Sequence, residues 1–245
     1  MTARALLGLA LALALQACAG DAATQAEPEP RRSTGSAGSS PLPAPSTAPP
    51  ATGTPEVEPV AEPVGPQPGD GRPRRAVLRI PSIDVRVAVV PYVGWTDDAP
   101  GTEIQNGGLA ASPHGPRGGV GPGGIGNYQV TAHRTSSTRA FEFLPDVRRG
   151  ERVLVDVREA GGATTRYVYL VTGTRETSFR SPASLRAQRA AVPGRPGASP
   201  TEAMITLSTC ATQEDHAEGN YWADEFDNPE HRIDKIGVLV AVRQR

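Results

Sequence analysis

Cys210 ends the run Ala203-Met204-Ile205-Thr206-Leu207-Ser208-Thr209-Cys210 and is the only cysteine after Cys18. A thiol attacks as its thiolate, and a cysteine without a disulfide partner is free to do so. A histidine that reaches it in space can take the thiol proton and later protonate a leaving group. His133 is the candidate, at the end of the strand-like Gly126-Asn127-Tyr128-Gln129-Val130-Thr131-Ala132-His133. Arg232 precedes a third apolar run, Ile233 to Val242. Its guanidinium stays charged and presents several donors in a rigid fork, which suits a developing oxyanion. Taken singly, each has a plainer reading. A buried cysteine is a small apolar residue, and a histidine can be a satisfied core side chain. Taken together, the three are a set suited to nucleophilic catalysis at a carbonyl.

The order His133, then Thr206-Leu207-Ser208-Thr209-Cys210, then Arg232 before a closing strand resembles the sortase family of transpeptidases. Ile80-Pro81-Ser82-Ile83-Asp84-Val85 resembles the start of a sortase domain. The resemblance spans residues 76–245 and implies the family's closed eight-stranded β-barrel. It implies that Cys210 attacks the Thr–Gly carbonyl of an LPxTG/LAxTG-like sorting signal, with His133 as acid/base and Arg232 stabilising the oxyanion or orienting the peptide. Surface proteins carrying a C-terminal sorting signal would be the donors. A peptidoglycan precursor or a pilin amine would be the acceptor. Thr209 matches the threonine that sortases use near the substrate backbone, so a substrate-positioning role is implied for it. Arg134 directly after His133, with the early Ile-Pro-Ser-Ile segment, resembles class E sortases, which are associated with Leu-Ala-x-Thr-Gly signals. Tyr128, five residues before His133, is the candidate for selecting alanine in that signal.

The 21 residues between Cys210 and Arg232 are more than is usual in the family. They carry seven acids and three aromatics, Tyr221, Trp222 and Phe226. The plainest expectation is a solvated loop with its aromatics packed on the barrel; a pocket wall, a lid or a site for a cationic acceptor are the alternatives. The acids lack EF-hand spacing, no pair of histidines has metal-ligand spacing, and no metal or cofactor is expected.

The elements that must position these residues read as strands: Ala76 to Ile80, Val85 to Val90, Ile125 to Ala132, Arg152 to Arg158, Thr165 to Thr174, Met204 to Leu207 and Ile236 to Val242. They are short, rich in Val, Ile, Thr and Tyr, and often alternate. Val153, Val155 and Val157 form one face ahead of the hairpin-type turn Ala160-Gly161-Gly162. Helical signal is confined to Ser137 to Leu144 and Ser181 to Gln188. Pro100 to Gly124 is dense in glycine and proline and reads as a long loop. This is an all-β pattern with one or two short helices. Pattern alone leaves a barrel and a sandwich open.

The first 75 residues read differently. Arg4, the apolar run Ala5 to Leu15 and then Leu15-Gln16-Ala17-Cys18 form an export segment over residues 1–19. The run is too short to span a membrane, which needs about 20 residues. Cys18 as a lipidated residue tethers the chain to the outer face of the cell membrane; cleavage with release and an uncleaved anchor are the alternatives. Residues 20–75 read as a disordered Pro-rich linker, since no Phe, Tyr or Trp precedes Tyr92 and 13 of the 25 prolines lie from Pro28 to Pro73. Residues 76–245 form the catalytic domain. A net charge of −1 gives no reason to expect nucleic acid as a partner. Two rival readings stay open: a plain cysteine peptidase, and a non-enzymatic exported β-domain lipoprotein that binds wall or ligand.

Overall fold

Alternation along the strands decides how the chain closes. The computed structural model describes residues 66–245, within one compact unit. Eight strands form a closed barrel: β1 (Ala76–Ile80), β2 (Val85–Val93), β3 (Ala110–His114), β4 (Gly126–Thr131), β5 (Arg152–Arg158), β6 (Thr164–Ser178), β7 (Ala203–Cys210) and β8 (His231–Gln244). Around the barrel the order is β1-β2-β3-β4-β7-β8-β6-β5, with β5 closing onto β1. The β2–β3 and β4–β7 pairs are parallel and the others antiparallel. The expected eight-stranded barrel is therefore borne out. Its interior is filled by alternate apolar residues such as Leu78, Val130, Val153, Val155, Tyr169 and Leu207.

The Gly/Pro-dense stretch is not a continuous loop. It holds a helix, α1 (Ala99–Asn106), and strand β3. Pro100 sits in the first turn, where its missing N–H is not needed, and the Asp98 carboxylate accepts from Gly101 N–H at 3.0 Å. Strand β3 pairs along β2, but its ladder to β4 is confined to Ala111 opposite Thr131, which leaves room for Pro113. The helix expected at Ser137 to Leu144 is replaced by turns and a 3₁₀ turn at Leu144–Asp146. Ser137 and Arg139 both have φ of 53°, in the left-handed region, and that breaks a right-handed helix. The second helix is present as α2 (Pro182–Arg189), capped by the Ser181 hydroxyl.

The residues assigned by composition to the end of the linker are strapped to the barrel. Gly69 N–H donates to Gly123 O at 2.8 Å, and Gly121 N–H donates to Gly71 O at 2.7 Å. Arg74 pairs with Asp70 at 2.5 Å. The export segment, Cys18 and most of the linker lie outside the described residues.

Candidate active site

Strands β4, β7 and β8 are neighbours in the barrel though distant in sequence. Their side chains alternate between two faces. Tyr128, Val130 and Ala132 belong to the apolar core, with Ile205 and Leu207 beside them. Asn127, Gln129, Thr131, Thr206 and Ser208 form the other, polar face. His133 continues the polar face of β4, and Cys210 continues that of β7. Parallel pairing sets Thr131 opposite Ser208, so two further residues bring His133 level with Cys210. Antiparallel pairing sets Cys210 directly opposite Arg232. All three residues thus occupy adjacent positions on one outer face.

The polar face is covered, and among its buried side chains Thr131 Oγ1 alone is left without a partner in the described residues. Asn127 Nδ2 donates to the carbonyls of Gln188 and Ala190, both at 3.1 Å, and Thr206 Oγ1 donates to Asn127 Oδ1 at 2.8 Å. Asp234 is buried and accepts from Ser208 Oγ at 2.7 Å, Gln188 Nε2 at 2.9 Å and Thr177 Oγ1 at 2.6 Å. Burial pushes its carboxyl above the usual range, and those three donors oppose the shift. This network fixes α2 against the sheet, where its Arg189 borders a cavity next to the site.

The insert between β7 and β8 forms another wall. It opens with a short helix, α3 (Thr212–Ala217), and folds back through a bridge between Ala223 and Pro229. Contrary to expectation, its aromatics are not packed away: Tyr221 is 72% exposed and Phe226 is also exposed. They line a cavity of about 490 Å³ together with Trp222, Cys210 and His133. A second cavity of about 600 Å³ adjoins it at Phe226 and is bordered by Trp95, Asp97, Phe179 and Arg189. Arg134, behind the site, donates to Cys210 O at 3.2 Å and to Gln213 Oε1 at 2.9 Å, and pairs with Glu214. It ties α3 to the strand that carries the cysteine.

Each of the three central groups is tuned by its surroundings. Cys210 is a free thiol, half-buried, and burial pushes it above the ordinary thiol range while the Arg232 charge opposes the shift. Burial lowers the His133 imidazolium, with Asp97 and Arg232 acting in opposite directions. The net shift is downward, which favours the neutral ring. Its Nε2 lies 2.8 Å from Asn106 Oδ1, at the end of α1; with the proton on Nε2, Nδ1 is left as the basic nitrogen. Arg232 is 1% exposed and lies behind the lining of both cavities rather than in it. Its Nε donates to Asp97 Oδ2 at 3.0 Å, its Nη1 to Pro229 O at 2.9 Å, and its guanidinium carbon stands 4.0 Å from the centre of the Phe179 ring. Burial works against the cation, and Cys210 and Asp97 outweigh it.

Two other expected site residues lie elsewhere. Tyr128 is 1% exposed, inside the core, and does not line the cavity at Cys210. Thr209 is buried, and its hydroxyl donates to Ala132 O at 2.8 Å rather than facing that cavity. It ties β7 to the residue before His133. Asp97 and Asn106 have no sequence signal for a place in the site: Asp97 lies between the expected second strand and the Gly/Pro-dense stretch, and Asn106 lies within that stretch. Among the described residues, no group of acids, histidines and cysteine could hold a metal ion, and no helix is long and apolar enough to cross a membrane.

The sequence profile of the sortase domain matches residues 78–223, a span that includes His133 and Cys210 and ends before Arg232. Sortase SrtA from Actinomyces oris is similar in fold, with 20% identity and a TM-score of 0.51, over 76% of this chain and 89% of that one. Sortase E1 from Streptomyces coelicolor, solved with a tripeptide in its active site, is similar at 20% identity and a TM-score of 0.51, over 73% and 94%. No curated protein sequence matches the chain. A domain profile that covers more than half of the 245 residues, on a closed barrel of eight strands, makes this chain a member of the sortase family, whose members are cysteine transpeptidases.

Proposed function

We propose that the chain is a class E-like sortase that cleaves an LPxTG/LAxTG-like sorting signal between Thr and Gly and transfers the protein to an amine. The observation that carries this reading is the placement of Cys210, His133 and Arg232 on neighbouring strands of one face, with cysteine and arginine as register partners. In this reading His133 takes the Cys210 proton and the thiolate attacks the threonine carbonyl carbon. The oxyanion is stabilised by Arg232. The C–N bond breaks, the glycine amine leaves with the proton from His133, and a thioacyl enzyme remains. An acceptor amine then attacks the thioester, gives a proton to His133, and releases the thiolate. That amine belongs to a peptidoglycan precursor or a pilin. Arg134 beside His133 supports the class E assignment. The enzyme works outside the cytoplasm, tethered at the membrane through the N-terminal segment, with Cys18 lipidated; palmitate labelling that persists in Cys18→Ala would refute that tether.

Incubating the protein with a Leu-Ala-x-Thr-Gly peptide and an amine should give the cleaved peptide joined to the amine, and an acyl adduct on Cys210 released by hydroxylamine. Cys210→Ala should give neither. Hydrolysis that ignores added amine would instead identify a cysteine peptidase, and a Cys210 inert to thiol reagents would favour the binding lipoprotein.

A further inference from the structure

We propose that Asp97 is a positioning residue for the reaction, fixing the Arg232 fork so that a single guanidinium nitrogen, Nη2, is left to meet the peptide. This deepens the sortase reading and rests on it. The fork is held on three sides. Nε is taken by Asp97, Nη1 by the carbonyls of Pro229 at 2.9 Å and His231 at 3.3 Å, and one flat face by Phe179. Nη2 is buried and has no hydrogen-bond partner among the described residues. A buried donor without a partner costs stability, and an oxygen of the bound peptide would satisfy it once the cover over it shifts. The sulfur of Cys210 sits on the register partner of Arg232, so a carbonyl attacked there develops its charge beside that donor.

Asp97 is itself held in place. Its other oxygen, Oδ1, accepts from Gln105 Nε2 at 3.0 Å, so both carboxylate oxygens are committed. Its φ of 58° lies in the left-handed region, a strained setting for a residue other than glycine. The surrounding turn enforces it. Tyr92 Oη donates to Trp95 O at 2.6 Å, Asp98 Oδ2 accepts from Trp95 N–H at 3.0 Å, and Thr96 Oγ1 donates to Gln129 Oε1 at 2.7 Å, reaching the polar face of β4. A strained backbone that its neighbours over-determine is a device for precise placement. Asp224, on the insert, is the other carboxylate whose charge reaches Arg232. Without Asp97 the fork loses the bond that fixes Nε, and Asp224 is the carboxylate left to attract it.

The test uses Asp97→Ala, Asp97→Asn and Arg232→Ala, singly and in the Asp97→Ala/Arg232→Ala combination, on a Leu-Ala-x-Thr-Gly peptide with an amine acceptor. Rates are normalised to the alkylatable Cys210 in each preparation. Asp97→Ala should lower kcat about 10²-fold, the scale of a misplaced catalytic group, with KM little changed. Asp97→Asn, which still accepts from Nε, should recover part of the loss. In the Arg232→Ala background, Asp97→Ala should cost nothing further. An unchanged kcat, or an equal loss with and without Arg232, would overturn the proposal. If the unaltered protein neither cleaves nor transfers, the sortase reading fails by itself, and Asp97 is still judged by the pH midpoint of Cys210 alkylation. Asp97→Asn should move that midpoint to lower pH, because the Arg232 charge is no longer offset; a midpoint that stays put overturns the proposal.

Discussion

Cys210 and Arg232 stand directly opposite each other on β7 and β8 although a 21-residue insert separates them in the chain. An antiparallel pair constrains only its two ends, and the entropic cost of a longer loop grows slowly with length. The unusual spacing is therefore compatible with an ordinary register.

Arg232 should not tolerate lysine. A lysine has one compact charge and cannot bond Asp97 and Pro229 at once while lying on the Phe179 ring. Arg232→Lys should lower kcat/KM for peptide transfer about 10²–10³-fold, the cost of losing one oxyanion donor. Near-normal transfer by the variant would remove Arg232 from the proposed role.

The pH profile follows from two opposed shifts. Cys210 is raised and His133 lowered, so the thiol and neutral imidazole dominate between the two midpoints and the thiolate–imidazolium pair is a minor form. The profile of kcat/KM should be bell-shaped, with its acid limb below about pH 6.5 and its alkaline limb above about pH 8.5, the ordinary values of the two groups. Iodoacetamide alkylation of the free protein should have its midpoint on the alkaline side as well. A thiol half-ionised below neutrality would contradict the burial argument.

Thr209 should matter through β4 rather than through substrate. Its hydroxyl is the donor to Ala132 O, one residue before His133. Thr209→Val keeps the shape and removes the donor, at a cost of about 1–3 kcal/mol for a buried group left unpaired. Thermal melts should show a lower Tm for Thr209→Val and a smaller drop for Thr209→Ser, with the loss of kcat following the same order. A valine variant as stable as the parent would show that the bond contributes nothing.

His231 gives the fold a pH dependence of its own. Its Nδ1 lies 2.6 Å from Asp215 Oδ1, and its backbone N–H donates to Asp215 Oδ2 at 3.0 Å. Burial lowers the imidazolium, but Asp215, Glu176 and Glu230 outweigh it, and the net shift is upward. A raised pKa means stabilisation that is complete below the unfolded value of about 6.5 and is lost as pH rises through the folded midpoint. Urea midpoints of the parent minus those of His231→Gln should therefore fall from acid to neutral pH. A difference that grows with pH would reverse the assignment.

Most of the barrel was legible because its strands alternate: β1 and β5 match the expected bounds residue for residue, and β6 and β8 were found but cut short. Strand β3 and α1 were not, because Gly and Pro masked a helix whose start depends on one carboxylate cap and a strand paired chiefly on one side. The faces were more legible than the roles assigned to them. Tyr128 is an odd number of residues from His133 and Thr209 is next to Cys210, so alternation alone sends both to the opposite face. Asp97 and Asn106 carried no signal, since each acts on a partner many residues away that only the closed barrel brings near.

Strand β8 carries Arg232 and completes the barrel between β7 and β6. A nascent or truncated polypeptide that stops short of His231 thus holds a sulfhydryl and an imidazole but lacks the guanidinium and the strand that seals the cylinder. In the proposed reaction such a fragment has no donor for the oxyanion, so the cylinder must close before the chemistry can run.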